Sequence, residues 1–383
     1  MATKTCFPED LVVEILVRMP VKSVLRCKAS SKHYYSLIRG QCFILRHLRL
    51  GKLNRSFLSP VLGSVHVFAR GGHGKVLERT PCIVEELSNV DGHYHKIQSI
   101  CGPIDGLYCV IERNNNSSRR RIALWNPATR EHFILPNPEH NNYFGKKTRL
   151  EAGLIDDFCI RAFGFGHDCN ENNYKVVIIY ALISDMLDNK LYFYIFDVSK
   201  REWRNYEEII SLNPWNIESN VGVFVRGGCH WVCPPPLQGT VSGYTILAFD
   251  MSMERHRNIP LPESVIDEYV WSTNSIVTLN GCLALINSPG VDTKERSWCF
   301  NVWVMGEYGV NESWIFLYRV SLAPGIVGRF LGLIGDRFYV AEEEGCLVSY
   351  NLRSKNDERY DIIDNNVRHI VPYEESLVRI VES

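Results

Sequence analysis

Five times along the chain an apolar run ends at Asn, Asp or Met, passes through a turn that carries a charge, and restarts. The copies are Leu-Trp-Asn-Pro-Ala-Thr-Arg-Glu at 124–131, Ile-Phe-Asp-Val-Ser-Lys-Arg-Glu-Trp at 195–203, Ala-Phe-Asp-Met-Ser-Met-Glu-Arg at 248–255, Val-Trp-Val-Met-Gly-Glu-Tyr-Gly at 302–309 and Ser-Tyr-Asn-Leu-Arg-Ser-Lys at 349–355. Anchored on Asn126, Asp197, Asp250, Met305 and Asn351, they stand 71, 53, 55 and 46 residues apart. Self-similarity at such a spacing means one supersecondary unit repeated, each unit burying its faces against its neighbours. The long first gap holds the polar stretch 137–149, which reads as an insertion.

About halfway through each unit a strand-like run enters glycine and leaves again. This happens at 100–107, 224–231, 277–283 and 333–338, and Asn280-Gly281 carries the strongest type I′ hairpin signal among them. Two hairpins per unit make a four-stranded blade, and a period near 50 is that of kelch-like propellers, not of helical solenoids. From residue 57 onward the apolar runs are of strand length and are separated by Gly, Pro, Asn and Asp, as at 65–69, 174–182, 245–250 and 337–342. The expected fold is mainly β: a β-propeller of about six or seven four-stranded blades over residues 51–383, behind a short three-helix segment over residues 1–50.

That first segment has a different period. Leu11, Val12, Ile15, Leu16 and Met19 line one helical face. Pro8 suits a first turn, Glu9 and Asp10 face the positive end of the dipole, and Pro20 stops the helix. Val21, Val24, Leu25 and Lys28 mark a second helix, and Tyr34, Leu37, Ile38 and Cys42 a third. So few residues do not close a core alone, so some of these faces are expected to meet another surface.

Charge divides the same way. Residues 1–51 hold nine Lys or Arg against three Asp or Glu, which leaves −7 for residues 52–383. A mildly acidic large part disfavours nucleic acid and gives weak steering toward basic partners. No run approaches the 18 apolar residues of a membrane span, and no apolar signal core precedes the first helix. The 13 cysteines are scattered singly, as expected of thiols in a reducing compartment. The expected location is the cytoplasm or the nucleus.

Four stretches invite a chemical reading. His73-Gly74-Lys75 lacks the Ser or Thr and the glycine spacing of a phosphate loop. Cys229, His230 and Cys233 have no second ligand pair at zinc spacing, so a packed core is the better account. Glu342, Glu343 and Glu344 read as a solvated turn, and Arg119, Arg120 and Arg121 as a solvated basic hairpin. No catalytic, metal or cofactor constellation emerges.

Two sets of motifs carry a resemblance. Phe-Pro-Glu-Asp at 7–10, Glu-Ile-Leu at 14–16, Met-Pro-Val-Lys-Ser at 19–23, Leu25-Arg26, Ser31-Lys32 and Ser36-Leu37-Ile38 resemble a plant F-box. The resemblance implies docking on the Skp-type adaptor of a cullin ubiquitin ligase, through Phe7, Pro8, Leu11, Ile15, Leu16, Pro20, Val24, Leu25, Tyr34, Leu37 and Ile38. The family has bulkier or more apolar residues where this chain has Cys27, Ala29, Ser30 and Tyr34, and each trimming is expected to weaken docking by roughly 1 kcal/mol.

Farther on, Trp125-Asn126-Pro127-Ala128-Thr129-Arg130, Gly164-Phe165-Gly166-His167-Asp168, Cys229-His230-Trp231 and the run from Glu307-Tyr308-Gly309-Val310 to Glu312-Ser313-Trp314 resemble the F-box-associated domain. The whole chain is similar to the S-locus F-box and S-locus-F-box-like group. That resemblance implies a non-catalytic subunit capturing a target protein, best known as the basic S-ribonuclease of self-incompatibility, through variable loops such as 137–149, 185–189 and 234–243. A propeller enzyme and a scaffold that never meets a cullin stay open as competing classes.

Overall fold

The computed structural model describes residues 8–51, 56–61, 64–70, 77–82, 95–114, 120–138, 158–182, 190–209, 217, 220–234, 244–261, 273–292, 297–323, 327–342, 346–361, 367 and 369–380. Four helices come first: α1 (Glu9–Leu16), α2 (Val21–Ser30), α3 (Lys32–Arg39) and α4 (Gln41–Gly51). The expected three become four because Gly40 adopts an extended conformation (φ −62°, ψ 132°) that ends α3. The chain restarts as α4, which buries Phe43, His47 and Leu48 one turn apart on its inner face. No helix among the described residues is long and apolar enough to cross a membrane.

The strands among the described residues fall into six four-stranded antiparallel sheets. Blade 1 takes β1 (Phe57–Val61), β2 (Ser64–Arg70) and β3 (Leu77–Cys82). Blade 2 takes β4 (His95–Ile104), β5 (Leu107–Asn114), β6 (Arg120–Asn126) and β7 (Glu131–Ile134). Blade 3 takes β8 (Phe158–Asp168), β9 (Asn173–Leu182), β10 (Lys190–Asp197) and β11 (Glu202–Ile209), and blade 4 takes β12 (Val223–Val225), β13 (Gly228–Cys233), β14 (Thr245–Asp250) and β15 (Arg255–Pro260). Blade 5 takes β16 (Thr273–Leu279), β17 (Cys282–Asp292), β18 (Ser297–Met305) and β19 (Trp314–Ser321), and blade 6 takes β20 (Gly328–Ile334), β21 (Arg337–Glu342), β22 (Cys346–Asn351) and β23 (Asp357–Asp361). The missing strand of blade 1 comes from the other end of the chain: β24 (Val371–Pro372) pairs with β1, Leu58 opposite Val371 and Phe57 opposite Pro372. The strands β24, β4, β8, β12, β16 and β20 touch in succession and β20 touches β24 again, so the ring closes at six blades.

The core lies between blades. β9 shows why its run is continuously apolar: Val176, Ile178 and Tyr180 face the core shared with blade 2, while Val177, Ile179 and Ala181 face the one shared with blade 4. With period two and a blade on each side, both faces must be apolar.

The five-fold sequence repeat is the turn between the third and fourth strands of blades 2 to 6. The carboxyl or amide oxygen of the anchor holds the turn's backbone: Asn126 Oδ1 accepts from Ala128 (3.0 Å), Asp197 from Lys200 (2.9 Å), Asp250 from Ser252 (2.9 Å) and Asn351 from Arg353 (3.0 Å). Four residues after each anchor the chain takes a left-handed φ, at Arg130, Arg201, Glu254 and Lys355. In blade 5 that position is Gly309 (φ 85°), and its N–H donates to Met305 Sδ at 3.0 Å, so a thioether stands in for the oxygen. The turns between first and second strands are two-residue loops with positive φ at both positions in Asp105-Gly106, Arg226-Gly227 and Asn280-Gly281, the signature of type I′.

Two anchors that look alike in sequence do different amounts of work. Among the described residues Asn351 caps only its own turn, whereas Asn126 is fully buried and its Nδ2 also donates to Ser376 O (3.1 Å) and Val378 O (2.8 Å). Asn351→Ala is expected to cost about 1 kcal/mol and Asn126→Ala about 2 to 4 kcal/mol, because the latter strands two carbonyls as well. Urea unfolding of the two variants measures the difference.

Candidate adaptor-binding surface

The helices share one core, to which Leu377 from the far end of the chain also belongs. Leu16, Val17, Val21, Val24, Ile38 and Phe43 are buried together, with Val12, Val13, Leu25, Cys27, Tyr34, Leu37 and Ala128 of the propeller packed against them. The eleven residues expected to meet an adaptor therefore divide. Leu16, Val24 and Ile38 point inward, and Leu25, Tyr34 and Leu37 are half-buried at the edge of this core. Pro8, Leu11, Ile15 and Pro20 are exposed, and Phe7 lies outside the described residues. Leu11 (52% exposed) and Ile15 (59%), one turn apart on α1, form an apolar stripe that no other described residue covers.

Around this stripe the surface is held by charge. Glu14 pairs with Arg18 in the turn just after α1 and with Arg46 on α4, and Glu9 lies 3.6 Å from His33. Exposed Tyr35 stacks under Lys28 and Arg39, and Arg39 donates to its hydroxyl at 2.7 Å. Of the trimmed positions, Cys27 and Tyr34 pack on the inner core, while Ala29 and Ser30 are exposed and Ser30 Oγ donates to Cys27 O at 2.7 Å. Helical spacing alone did not flag Tyr35 or the exposed Leu45 of α4.

The propeller's tempting groups resolve into structure. Cys229 and Cys233 are buried in the core between blades 3 and 4, where burial pushes the Cys229 thiol well up. His230 Nδ1 donates to Val223 O (3.1 Å) and Nε2 accepts from the Tyr308 hydroxyl (2.7 Å). Among the described residues no cluster of three His, Cys, Asp or Glu is placed to hold a metal. Two loop readings are corrected. Arg120 and Arg121 belong to β6, where Arg121 pairs with buried Glu112, and Glu342 is buried in β21 against Arg359 at 3.3 Å. Arg119, Glu343, Glu344, 73–75, 139–149, 185–189 and 235–243 lie outside the described residues.

A buried ion network staples blade 3 to blade 4. Lys175 Nζ, 2% exposed, reaches Asp168 Oδ2 (2.6 Å), Glu254 Oε1 (2.8 Å) and Met251 O (3.0 Å). Arg204 bridges Glu254 and Asp197. Burial pushes the Asp168 carboxyl up, but Lys175, Ser252 and the amides of Asn170 and Glu171 outweigh it and hold it at about 2. Every group is paired with another, which describes a clamp.

Two family models match the two parts of the chain. The F-box associated beta propeller domain family matches residues 75–380, and the F-box domain family matches residues 5–46. The chain belongs to the F-box-associated β-propeller family. An F-box/kelch-repeat protein of Arabidopsis thaliana is 27% identical over 328 residues, covering 83% of this chain and 80% of that protein. F-box protein CPR1 of the same plant is 26% identical over 333 residues, covering 82% of this chain and 73% of that protein. Among solved structures, the beta-propeller domain of the Trilobed protease from Pyrococcus furiosus aligns with a TM-score of 0.37 at 10% identity, over 82% of this chain and 89% of that one. The F-box of this family member is the helical segment, and its propeller is the six-bladed ring.

Two predictions follow from the F-box protein's buried charges. Lys175→Met leaves buried Asp168 without its cation and Glu254 with Arg204 alone, and is expected to cost about 3 to 5 kcal/mol by urea unfolding. The second concerns pH. Burial holds His230 and His369 at about 4, below the ordinary 6.5. Between pH 6.5 and 4 the unfolded chain binds the extra protons, so stability is full above 6.5 and falls as pH drops toward 4. Urea midpoints at pH 7.5 and 5 are expected to differ in that sense, and less so in His230→Gln.

Proposed function

We propose that this F-box protein is the substrate-recognition subunit of a Skp–cullin–F-box ubiquitin ligase. The observation that carries the reading is the Leu11 and Ile15 stripe, exposed among the described residues, on a helical unit whose core is filled by its own side chains and Leu377. A unit that satisfied itself would have no reason to show two large aliphatic side chains at helical spacing, whereas an adaptor groove would bury them. The function is positional: α1 and its neighbours hold the Skp-type adaptor, and through it a cullin, while the propeller holds a target protein. Tethering raises the target's effective concentration near the conjugating enzyme to the millimolar range, about what short linkages give. Catalysis is left to other subunits, and the complex works in the cytoplasm or nucleus.

For the target we propose a basic protein of the S-ribonuclease class. The −7 charge over residues 52–383 supports a basic partner, and the S-locus F-box motifs support the class. Pull-down of candidate targets by the full chain in the presence of the adaptor tests this, and retention of acidic and basic ribonucleases alike would count against it.

The adaptor reading has a sharper test. Leu11→Asp with Ile15→Asp changes two exposed positions, so the fold should stand, with an unchanged melting temperature. Removing the burial of two aliphatic side chains is worth roughly 3 kcal/mol or more, and adaptor affinity is expected to fall about a hundredfold. Equal adaptor retention by the variant and the parent, in a titration of the purified full chain, would sink the reading.

A further inference from the structure

We propose that residues 373–380 are a coupling strap through which the F-box helices and the closure of the propeller ring stabilise one another. The segment begins where β24 ends, at the strand that completes blade 1. It then runs between the two parts, with Tyr373 in the propeller core of Leu58 and Tyr108, Arg379 beside Glu131 of β7, and the side chains between them divided between helices and propeller.

Toward the helices it sends Glu375 and Leu377. α2 opens at Pro20 with no side-chain cap and no acidic residue in its first turn. Its leading N–H groups need an acceptor, and a carboxylate suits both their hydrogen-bonding demand and the helix dipole. Glu375 Oε2 supplies it, accepting from Val21 N–H at 3.0 Å across 354 residues of sequence. Leu377, 6% exposed, lies in the same cluster as Leu16, Val21 and Phe43, so the F-box core is completed by a residue from the far end of the chain.

Toward the propeller it sends Ser376, Val378 and Ile380. Ser376 is fully buried, and its Cβ would lie 2.2 Å from any side chain placed at Gly106, whose φ of +76° also demands glycine. Asn126 Nδ2 grips the carbonyls of Ser376 and Val378, while Ile380 is buried in the core of blades 2 and 3. Tyr108 ties the strap to the closing strand: its hydroxyl donates to Pro372 O (2.8 Å) and accepts from Glu374 N–H (3.0 Å). Melting the helices releases the strap, and releasing the strap loosens β24 directly upstream. A ligand that stabilises the helices therefore tightens the ring, and the linkage runs equally in reverse.

Hydrogen exchange on the full chain tests this, comparing the parent with Leu377→Ala, the milder Glu375→Gln, and Leu352→Ala as a control in the blade 5 and 6 core. Both strap variants are expected to raise exchange tenfold or more in two places at once, over 9–51 and over β1 and β24. The control should leave 9–51 unchanged. Faster exchange confined to the helices, with β1 and β24 as protected as in the parent, overturns the proposal, as does a control that loosens the helices equally. If Leu377→Ala does not fold, Glu375→Gln and Leu377→Met decide the same comparison. A further arm, which rests on the adaptor reading, adds saturating purified Skp-type adaptor: protection of β1 and β24 should rise at least threefold in the parent and not in Leu377→Ala. An adaptor that fails to bind the parent fails the ligase reading and leaves the exchange comparison to judge the strap.

Discussion

The pairing of Leu58 and Phe57 with Val371 and Pro372 is the contact on which the propeller depends. A ring of blades buries each blade between two neighbours, so an open ring exposes two inter-blade faces at once. Two residue pairs look slight for that task. They are supported by what flanks them: Phe57 stacks on Phe68 at 5.1 Å and lies in the core with Leu331 and Ile370, while Leu58 lies in the next core with Tyr108 and Val110. The short strand fixes register, and the two cores it separates supply the burial.

What the amino-acid order disclosed was the local part of this. Asn126, Asp197, Asp250 and Asn351 are legible because a turn before an outer strand must satisfy its own amides, and a short oxygen-bearing side chain at the first position does so within three residues. Met305 kept its place in the repeat because Gly309 relieves the left-handed position that a non-glycine residue occupies elsewhere. Asn280-Gly281 was legible for the same reason. The repeat does not distinguish six blades from seven because no copy of it falls in blade 1, whose first strand is borrowed from the far end of the chain.

The F-box surface was legible as a segment and illegible as a surface. α1 carries Leu11, Val12, Val13, Ile15 and Leu16, apolar over most of its circumference, so periodicity could not separate the inner Leu16 from the outer Leu11 and Ile15. Gly40 gave one residue of warning that α3 and α4 are distinct. Glu375 and Leu377 gave none, since the partner of the first is a backbone N–H 354 residues away and the second sits in an ordinary-looking terminal stretch. The buried Lys175 was equally silent: a lysine in an apolar strand announces its anions only when a neighbouring blade brings Glu254 and Met251 O to it.

These long-range contacts share a consequence for the positional role proposed above. A receptor joined to its adaptor-binding helices by a free linker spreads its target over a volume that grows with linker length, and effective concentration falls accordingly. Here the helices are fixed on blade 2 by Ala128 from one side and by the strap from the other, with Asn126 holding both the turn that carries Ala128 and the strap itself. One buried amide thus belongs to a blade turn, to the strap and, through Leu377, to the F-box core. The same residue type at Asn351, with no strap beside it, caps a turn and nothing more. The repeat supplied the turn, and the position of blade 2 next to the helices turned one copy of it into a joint.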